Sequence, residues 1–276
     1  MNQERTSHIV AYLFLAFYTL FTLLPILWVF STSLKPGDEV MAFPPRILPE
    51  NISFENYRFV FQDQYLLRSL VNSFITAGFS MVLSVTISAL AGYAFARYRF
   101  KGKNLILGAI MGMFMIPVAM NTIPLYIIFQ RLKLLDTYFV LIWSYQILII
   151  PLNIFLLKNY FETIPREIEE QARIDGCSTL GVLWYITIPS AWPALAVSGI
   201  FAFRFSWNEF VFPLVFANKQ EMNVFQVALY KFMDLYRVNW GHLTSCIIIG
   251  ILPILVLFIF FQKQMVSGFT AGAVKG

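Results

Sequence analysis

Charge is what this chain has least of. Only 13% of its 276 residues are charged, about half the share usual in a soluble globular chain. With 58% hydrophobic residues, disorder is excluded, because a disordered chain needs high charge and low hydrophobicity. Cysteine is scarce, and two residues cannot form a disulfide framework. The only histidines are His8 and His242, so no Cys/His cluster has the spacing of a metal site, and no metal is expected. No Gly-x-x-x-x-Gly-Lys-Ser/Thr loop is present, so the chain is not expected to bind ATP itself. No Ser/His/Asp arrangement stands out either. These absences point away from an enzyme. The net charge of +5 is modest and spread along the chain, which gives no sign of nucleic acid.

What fills the space between charges is apolar. Residues 9–34, 69–96, 104–130, 137–157, 176–203 and 238–262 carry no formal charge. A helix needs about 20 apolar residues to cross the hydrocarbon core of a bilayer. The gaps predict six membrane spans, near 9–31, 69–95, 105–123, 138–157, 193–216 and 244–261. Continuous runs favour helices over a barrel, whose strands alternate apolar and polar residues. The expected fold class is therefore an all-α membrane protein. The first run, from Ile9 to Phe30, is longer than a signal peptide's apolar region and reads as a retained span.

Six spans put both termini on one side. The short loop from Arg97 to Lys103 holds four cations and no acid, and the positive-inside rule makes it cytoplasmic. The termini then lie in the cytoplasm, although the full Lys/Arg count of the two sides is nearly even. The connection 32–68, with Pro36, Pro44, Pro45 and Pro49, is external and long enough for a structured cap. The loops 124–136 and 217–243 are external as well. Cys177 and Cys246 fall on opposite sides of the membrane and should not pair.

The cytoplasmic segment 158–192 carries the most information. Pro165 suits a first helical turn, and Glu167, Glu169 and Glu170 favour the positive end of a helix dipole. Ile164, Ile168 and Ala172 recur every four residues as an apolar stripe. Gly176 is placed to stop the helix. Ser178 or Thr179 can cap a second one, and Pro189 and Pro193 break the chain before the fifth span. Such a helix–turn–helix is either an amphipathic connector with a solvated acidic face or a rigid knob for a cytoplasmic partner.

The run Glu170-Gln171-Ala172-Arg173-Ile174-Asp175-Gly176, followed after nine residues by Ile186-Thr187-Ile188-Pro189, resembles the EAA loop of ABC-importer permeases. That pattern reads Glu-Ala-Ala, three residues, Gly, nine residues, Ile-x-Leu-Pro. The chain departs from it at Gln171 and Ile188. Ser267 to Gly276 is similar to the tail of MalG-like carbohydrate permeases, and Trp207-Asn208-Glu209-Phe210 and Ser33-Leu34-Lys35-Pro36 also fit that subgroup. The resemblance covers essentially the whole chain. It implies the type I ABC-importer (MetI-like) permease fold, with a cytoplasmic EAA coupling helix and a 263–276 tail that reaches between ATPase subunits. It implies that Glu170, Gln171, Ala172, Asp175 and Gly176 dock into an ATPase cleft. It also implies a second permease subunit, two ABC ATPase subunits that hold ATP and Mg, and an extracytoplasmic solute-binding protein. The substrate would be a sugar and the location the bacterial inner membrane.

A few polar residues interrupt the spans. An arginine at mid-helix costs about 2.5–3.5 kcal/mol on insertion scales, so Arg204 should face protein or a wet cavity. Asn208 shares its face, four residues on, while Glu209 lies well around the helix. Arg204, Trp207, Asn208, Glu209 and Asn121 are candidates for the path of a polar solute. Gln146 and Asn153 are weaker ones. Arg204 either serves an anionic sugar or pairs with an acid on a sister helix. Pro117, Pro124 and Pro151 can break their helices. Two other readings stay open: an ABC permease for another polar solute, such as glycerol phosphate or a peptide, and a secondary carrier with Glu209 as its proton site.

Overall fold

The computed structural model describes residues 2–231 and 238–273. Among them every regular element is helical. Fourteen α-helices run in order: α1 Asn2–Ser33, α2 Gly37–Val40, α3 Glu55–Gln62, α4 Gln64–Arg97, α5 Lys103–Phe114, α6 Val118–Arg131, α7 Tyr138–Thr163, α8 Arg166–Ile174, α9 Thr179–Val182, α10 Ile188–Ser190, α11 Trp192–Asn208, α12 Val211–Phe216, α13 Phe225–Lys231 and α14 Trp240–Ala273. A π-helical stretch, Leu183–Thr187, joins α9 to α10. Four helices, α1, α4, α7 and α14, are each long and apolar enough to cross a membrane. Two bent pairs raise the number to six if each pair counts as one span.

Those bent pairs differ from the straight helices that the apolar runs suggest. The run at 105–123 is split into α5 and α6, which meet at 96°. Pro117, at the start of α6, has no amide hydrogen to donate and ends the first helix. Pro124 and Pro151, by contrast, sit inside α6 and α7 without ending them. The fifth run is broken on both sides. Helices α9 and α10 meet α11 at 81°, and α11 stops at Asn208, where Glu209 turns to extended backbone before α12.

The chain divides into two compact units, Met1–Leu67 with Leu229–Pro253 and Arg68–Ala228 with Ile254–Gly276. In the first, the α1 side chains from Val10 to Trp28 all stand exposed. Such apolar exposure suits a lipid or protein environment, not water. The 32–62 segment is folded by polar contacts. Lys35 is buried, donating to the Arg46 carbonyl at 2.6 Å and lying 4.8 Å from the Trp28 ring centroid. Asn56 donates to the carbonyls of Ser33 and Lys35. Here the Ser33-Leu34-Lys35-Pro36 motif becomes the hub of a structured cap.

In the second unit, α4, α7 and α11 form the centre. Gly92 of α4 lies where a Cβ would stand 3.1 Å from the Lys158 amide nitrogen of α7, so a small residue favours that close approach. Buried Ser73, Thr76, Ser80, Ser84 and Ser88 mark the packed side of α4 with small polar residues. Asn153 is fully buried and donates to Ser84 Oγ at 2.9 Å and to the Ser198 carbonyl at 3.3 Å, which ties the three helices together. It is a packing residue. Gln146 likewise donates to the Ile142 carbonyl of its own helix.

Polar contacts close both ends of this unit. At one end, Asn72 donates to the carbonyls of Glu221 and Asn223 and accepts from the Tyr138 hydroxyl at 2.6 Å. Asp136 accepts from the Lys219 amide. The other end holds Arg97 and the α8–α10 segment. The cation-rich loop and the EAA-like loop thus share one end, and the 132–137 and 217–224 loops share the opposite one. Cys177 and Cys246 are both free. The stretch from 263 is helical as far as Ala273, and residues 274–276 of the expected tail lie outside the described residues.

Candidate coupling and translocation sites

Helix α8 forms where local chemistry asks for it. Pro165 precedes it, and Glu167 and Glu169 occupy its first turn. Gly176 ends it with a φ of 90°, a left-handed conformation that costs glycine little. The Cys177 amide returns to the Ala172 carbonyl at 2.9 Å and the Gly176 amide to Arg173, which satisfies carbonyls left over at the helix end. Ser178 caps the next helix by accepting from the Gly181 amide.

The two faces of α8 differ. Glu169 is buried and Arg97 donates to it through Nη2 at 2.8 Å and Nε at 2.9 Å. Tyr93 donates to its other oxygen at 3.1 Å, and Thr187, at the end of the π-helical stretch, donates at 2.9 Å. Arg97 also reaches the Ile164 carbonyl. Ala172 and Ile164 are buried beside this cluster. The opposite face is bare: Glu170, Gln171, Asp175 and Gly176 are exposed, as are Ile174, Leu180 and Tyr185. Of the five EAA-loop candidates, Ala172 packs within the chain and four face outward.

The apolar stripe is corrected by this arrangement. Ile164 and Ala172 face inward, but Ile168 is 45% exposed and the inward position beside them belongs to Glu169. A carboxylate can sit there because four donor atoms on Arg97, Tyr93 and Thr187 compensate its burial. Glu169, Arg97, Tyr93 and Thr187 were not picked out as a group in the sequence. The one available signal was that Arg97 opens the cation-rich loop.

The second site is a cavity of about 520 Å³ in the second unit. Both helix breaks contribute to its wall: Met115, Ile116, Pro117 and Val118 from one, Asn208, Glu209 and Phe210 from the other. Arg204 lines it too, one turn before Asn208 on the same face. Among the described residues Arg204 has no ion pair or hydrogen bond. Its guanidinium lies 5.5 Å from the Phe205 ring centroid. Glu209 is occupied differently. Its two oxygens accept from the Val211 and Phe212 amides and so cap α12.

Two other candidates do not line the cavity. Trp207 is 1% exposed, stacked with Phe203 at 5.6 Å and edge-on to Phe74 at 4.8 Å. It directly precedes Asn208, yet a helix turns about 100° in that step, which puts Trp207 in the core. Asn121 lies in the first turn of α6, past the lining residues, with its amide nitrogen buried and unpartnered. Among the described residues no three His, Cys, Asp or Glu side chains gather as a metal would need.

The family model described as "Binding-protein-dependent transport system inner membrane component" matches residues 84–269. The sulfoquinovosyl glycerol transport system permease SmoH of Agrobacterium fabrum is 35% identical over 92% of this chain and 89% of its own length. The trehalose transport system permease SugB of Mycobacterium tuberculosis is 33% identical over 93% of both. Among solved structures, a chain of a bacterial ABC transporter that imports the acidic polysaccharide alginate superposes with a TM-score of 0.84, at 27% identity over 95% of this chain and 98% of that one.

Proposed function

The chain belongs to the binding-protein-dependent transport system inner membrane components and is a multi-pass carbohydrate permease of the ABC-importer type, and from that premise we propose how its two sites divide the work. The chain forms half of a translocation path whose other half is a second permease subunit. Two ATPase subunits hold ATP and Mg and dock on the bare face of α8 and α9. An extracytoplasmic binding protein delivers the sugar at the opposite end, where the Asn72 and Asp136 contacts gather the loops. Both termini then lie in the cytoplasm, on the side of the four-cation loop.

The observation that carries the coupling role is the two-faced character of α8. A connector helix needs only to pack. This one is fastened on one side by a buried ion pair and leaves Glu170, Gln171, Ile174, Asp175 and Gly176 uncovered on the other. An exposed isoleucine beside a tight glycine turn offers an apolar contact with room for close approach; nothing lies within 4 Å of where a Gly176 Cβ would stand. A push on that face passes through Glu169 to Arg97 on α4 and to Thr187, which precedes α11. Those two helices reach the core and the cavity.

The family match speaks against the proton-carrier reading, and the Glu209 carboxylate accepts from the Val211 and Phe212 amides. The relatives are named for sulfoquinovosyl glycerol, trehalose and alginate, so which sugar this chain passes depends on its own lining residues.

Two variants test the coupling role. Gly176→Leu should block close approach at the turn, and Glu170→Lys should reverse a charge on the docking face. Each should abolish sugar-stimulated ATP hydrolysis by the purified complex while membrane insertion stays intact. Normal stimulated turnover in both would refute the assignment.

A further inference from the structure

The cavity between the two helix breaks is lined by Arg204, which has no ion pair or hydrogen bond among the described residues. We propose that this cavity is a subsite for the carboxylate or sulfonate of an anionic sugar, with Arg204 as its charge-reading residue. The inference rests on the importer reading above and adds the chemical class of the substrate.

Three observations converge. The first is the state of Arg204. Where Arg97 reaches a carboxylate of its own chain at 2.8 Å, Arg204 has only the face of Phe205. Arg204 is exposed, and a guanidinium beside apolar walls attracts a planar or tetrahedral oxyanion, which it can meet through two parallel N–H bonds.

The second is the wall itself. Pro117 and Val118 bring the N-terminal end of α6 to the cavity, and no side chain caps that end. The helix dipole adds positive potential at that end. Glu209 is the single acid in the wall; its two oxygens accept from backbone amides, and among the described residues it makes no ion pair with Arg204.

The third is size and texture. A volume of about 520 Å³ falls within the range of about 300–1,000 Å³ typical of ligand sites. Phe114, Phe205 and Phe210 give apolar surfaces for the C–H face of a pyranose ring, and Asn208, one turn from Arg204, offers both a donor and an acceptor for hydroxyls. Mostly apolar lining with a few convergent polar groups is what orients a small solute. A cation held for an acid on a partner helix needs neither the concavity nor the added donors.

The test uses the complete importer, with its own partner subunits and binding protein, reconstituted in liposomes. The probes are disaccharides in matched pairs, each neutral sugar beside its uronate and its 6-sulfonate. Wild type should accumulate at least one acidic member, driven by ATP, above its neutral twin. Arg204→Met should cut uptake of that acidic sugar about tenfold or more while neutral uptake stays within about twofold, and Arg204→Lys should fall between Met and wild type. Preference for the neutral twin in every pair overturns the subsite and leaves the importer reading standing. So does an equal loss for both sugars in Arg204→Met, or a loss of assembly that is reversed by removing an acid from the partner permease. If wild type accumulates no sugar with ATP, the importer reading itself fails and the inference falls with it.

Discussion

Arg97 and Arg204 sit at the two candidate sites of this chain, and they differ in one respect that separates the sites. Arg97 is buried against Glu169, with Tyr93 and Thr187 completing the carboxylate's bonds and Ile164 taking another guanidinium hydrogen. Among the described residues Arg204 has no acceptor, and it lines an open cavity. A cation whose partners belong to its own chain does mechanical work there, because removing either member leaves the other stranded. A cation without partners is available for whatever enters. The cluster beneath α8 is therefore closed by this chain's own residues, whereas the cavity's cation has no such partner among the described residues.

The largest effect should come from breaking the complete cluster. Arg97→Ala leaves a buried carboxylate without its cation, which costs about 3–5 kcal/mol. Thermal unfolding of the purified subunit or complex should show a large drop, or the protein should fail to accumulate. Glu169→Gln should be milder, since the amide oxygen still accepts from Arg97 and Thr187. An unchanged melting point in Arg97→Ala would remove the contrast between the two arginines.

A smaller loss is expected where the buried group is polar but neutral. Asn153→Ala removes the bonds to Ser84 and Ser198. Interhelical hydrogen bonds in membrane proteins average about 0.6 kcal/mol and reach about 1.7, so the unfolding midpoint should shift modestly. Sugar uptake should persist in this variant, because Asn153 is packed among helices and does not line the cavity. Loss of uptake at full stability would move it from packing to path.

The smallest effect on stability should be that of Arg204→Met. With no partner to strand, unfolding should change by less than about 0.5 kcal/mol, even where transport of an acidic sugar is lost. A destabilisation comparable to that of Arg97→Ala would mean that Arg204 is paired in the assembled complex.

Much of this was legible in the sequence. The uncharged runs found the helices, because chain composition must answer to the bilayer along their whole length. Gly176 and Ser178 marked the ends of α8 and α9, since capping is local chemistry. The inward turn of Glu169 was not legible. Glu167, Glu169 and Glu170 look alike in the sequence, and what selects one is an arginine 72 residues away. The helix breaks were ambiguous for a similar reason. Pro117 ends a helix while Pro124 and Pro151 do not, because neighbouring groups decide whether a proline's missing bond is tolerated. Trp207 and Asn208 share a motif but face different ways, one into the core and one into the cavity. Both faces of α11 are rich in phenylalanine, so periodicity could relate Arg204 to Asn208 without saying which face meets the core.

Helix α4 is pinned near both its ends, by Asn72 to the loops at one end and by Arg97 to α8 at the other. At 1.5 Å per residue those anchors stand about 38 Å apart, somewhat more than the roughly 30 Å of hydrocarbon between the two interfaces. A rod fixed at both ends cannot bend at one without moving the other. Displacement at the Arg97 anchor should therefore reappear at the Asn72 anchor as tilt, so the helix ties the α8 end of this unit to the loops at its opposite end.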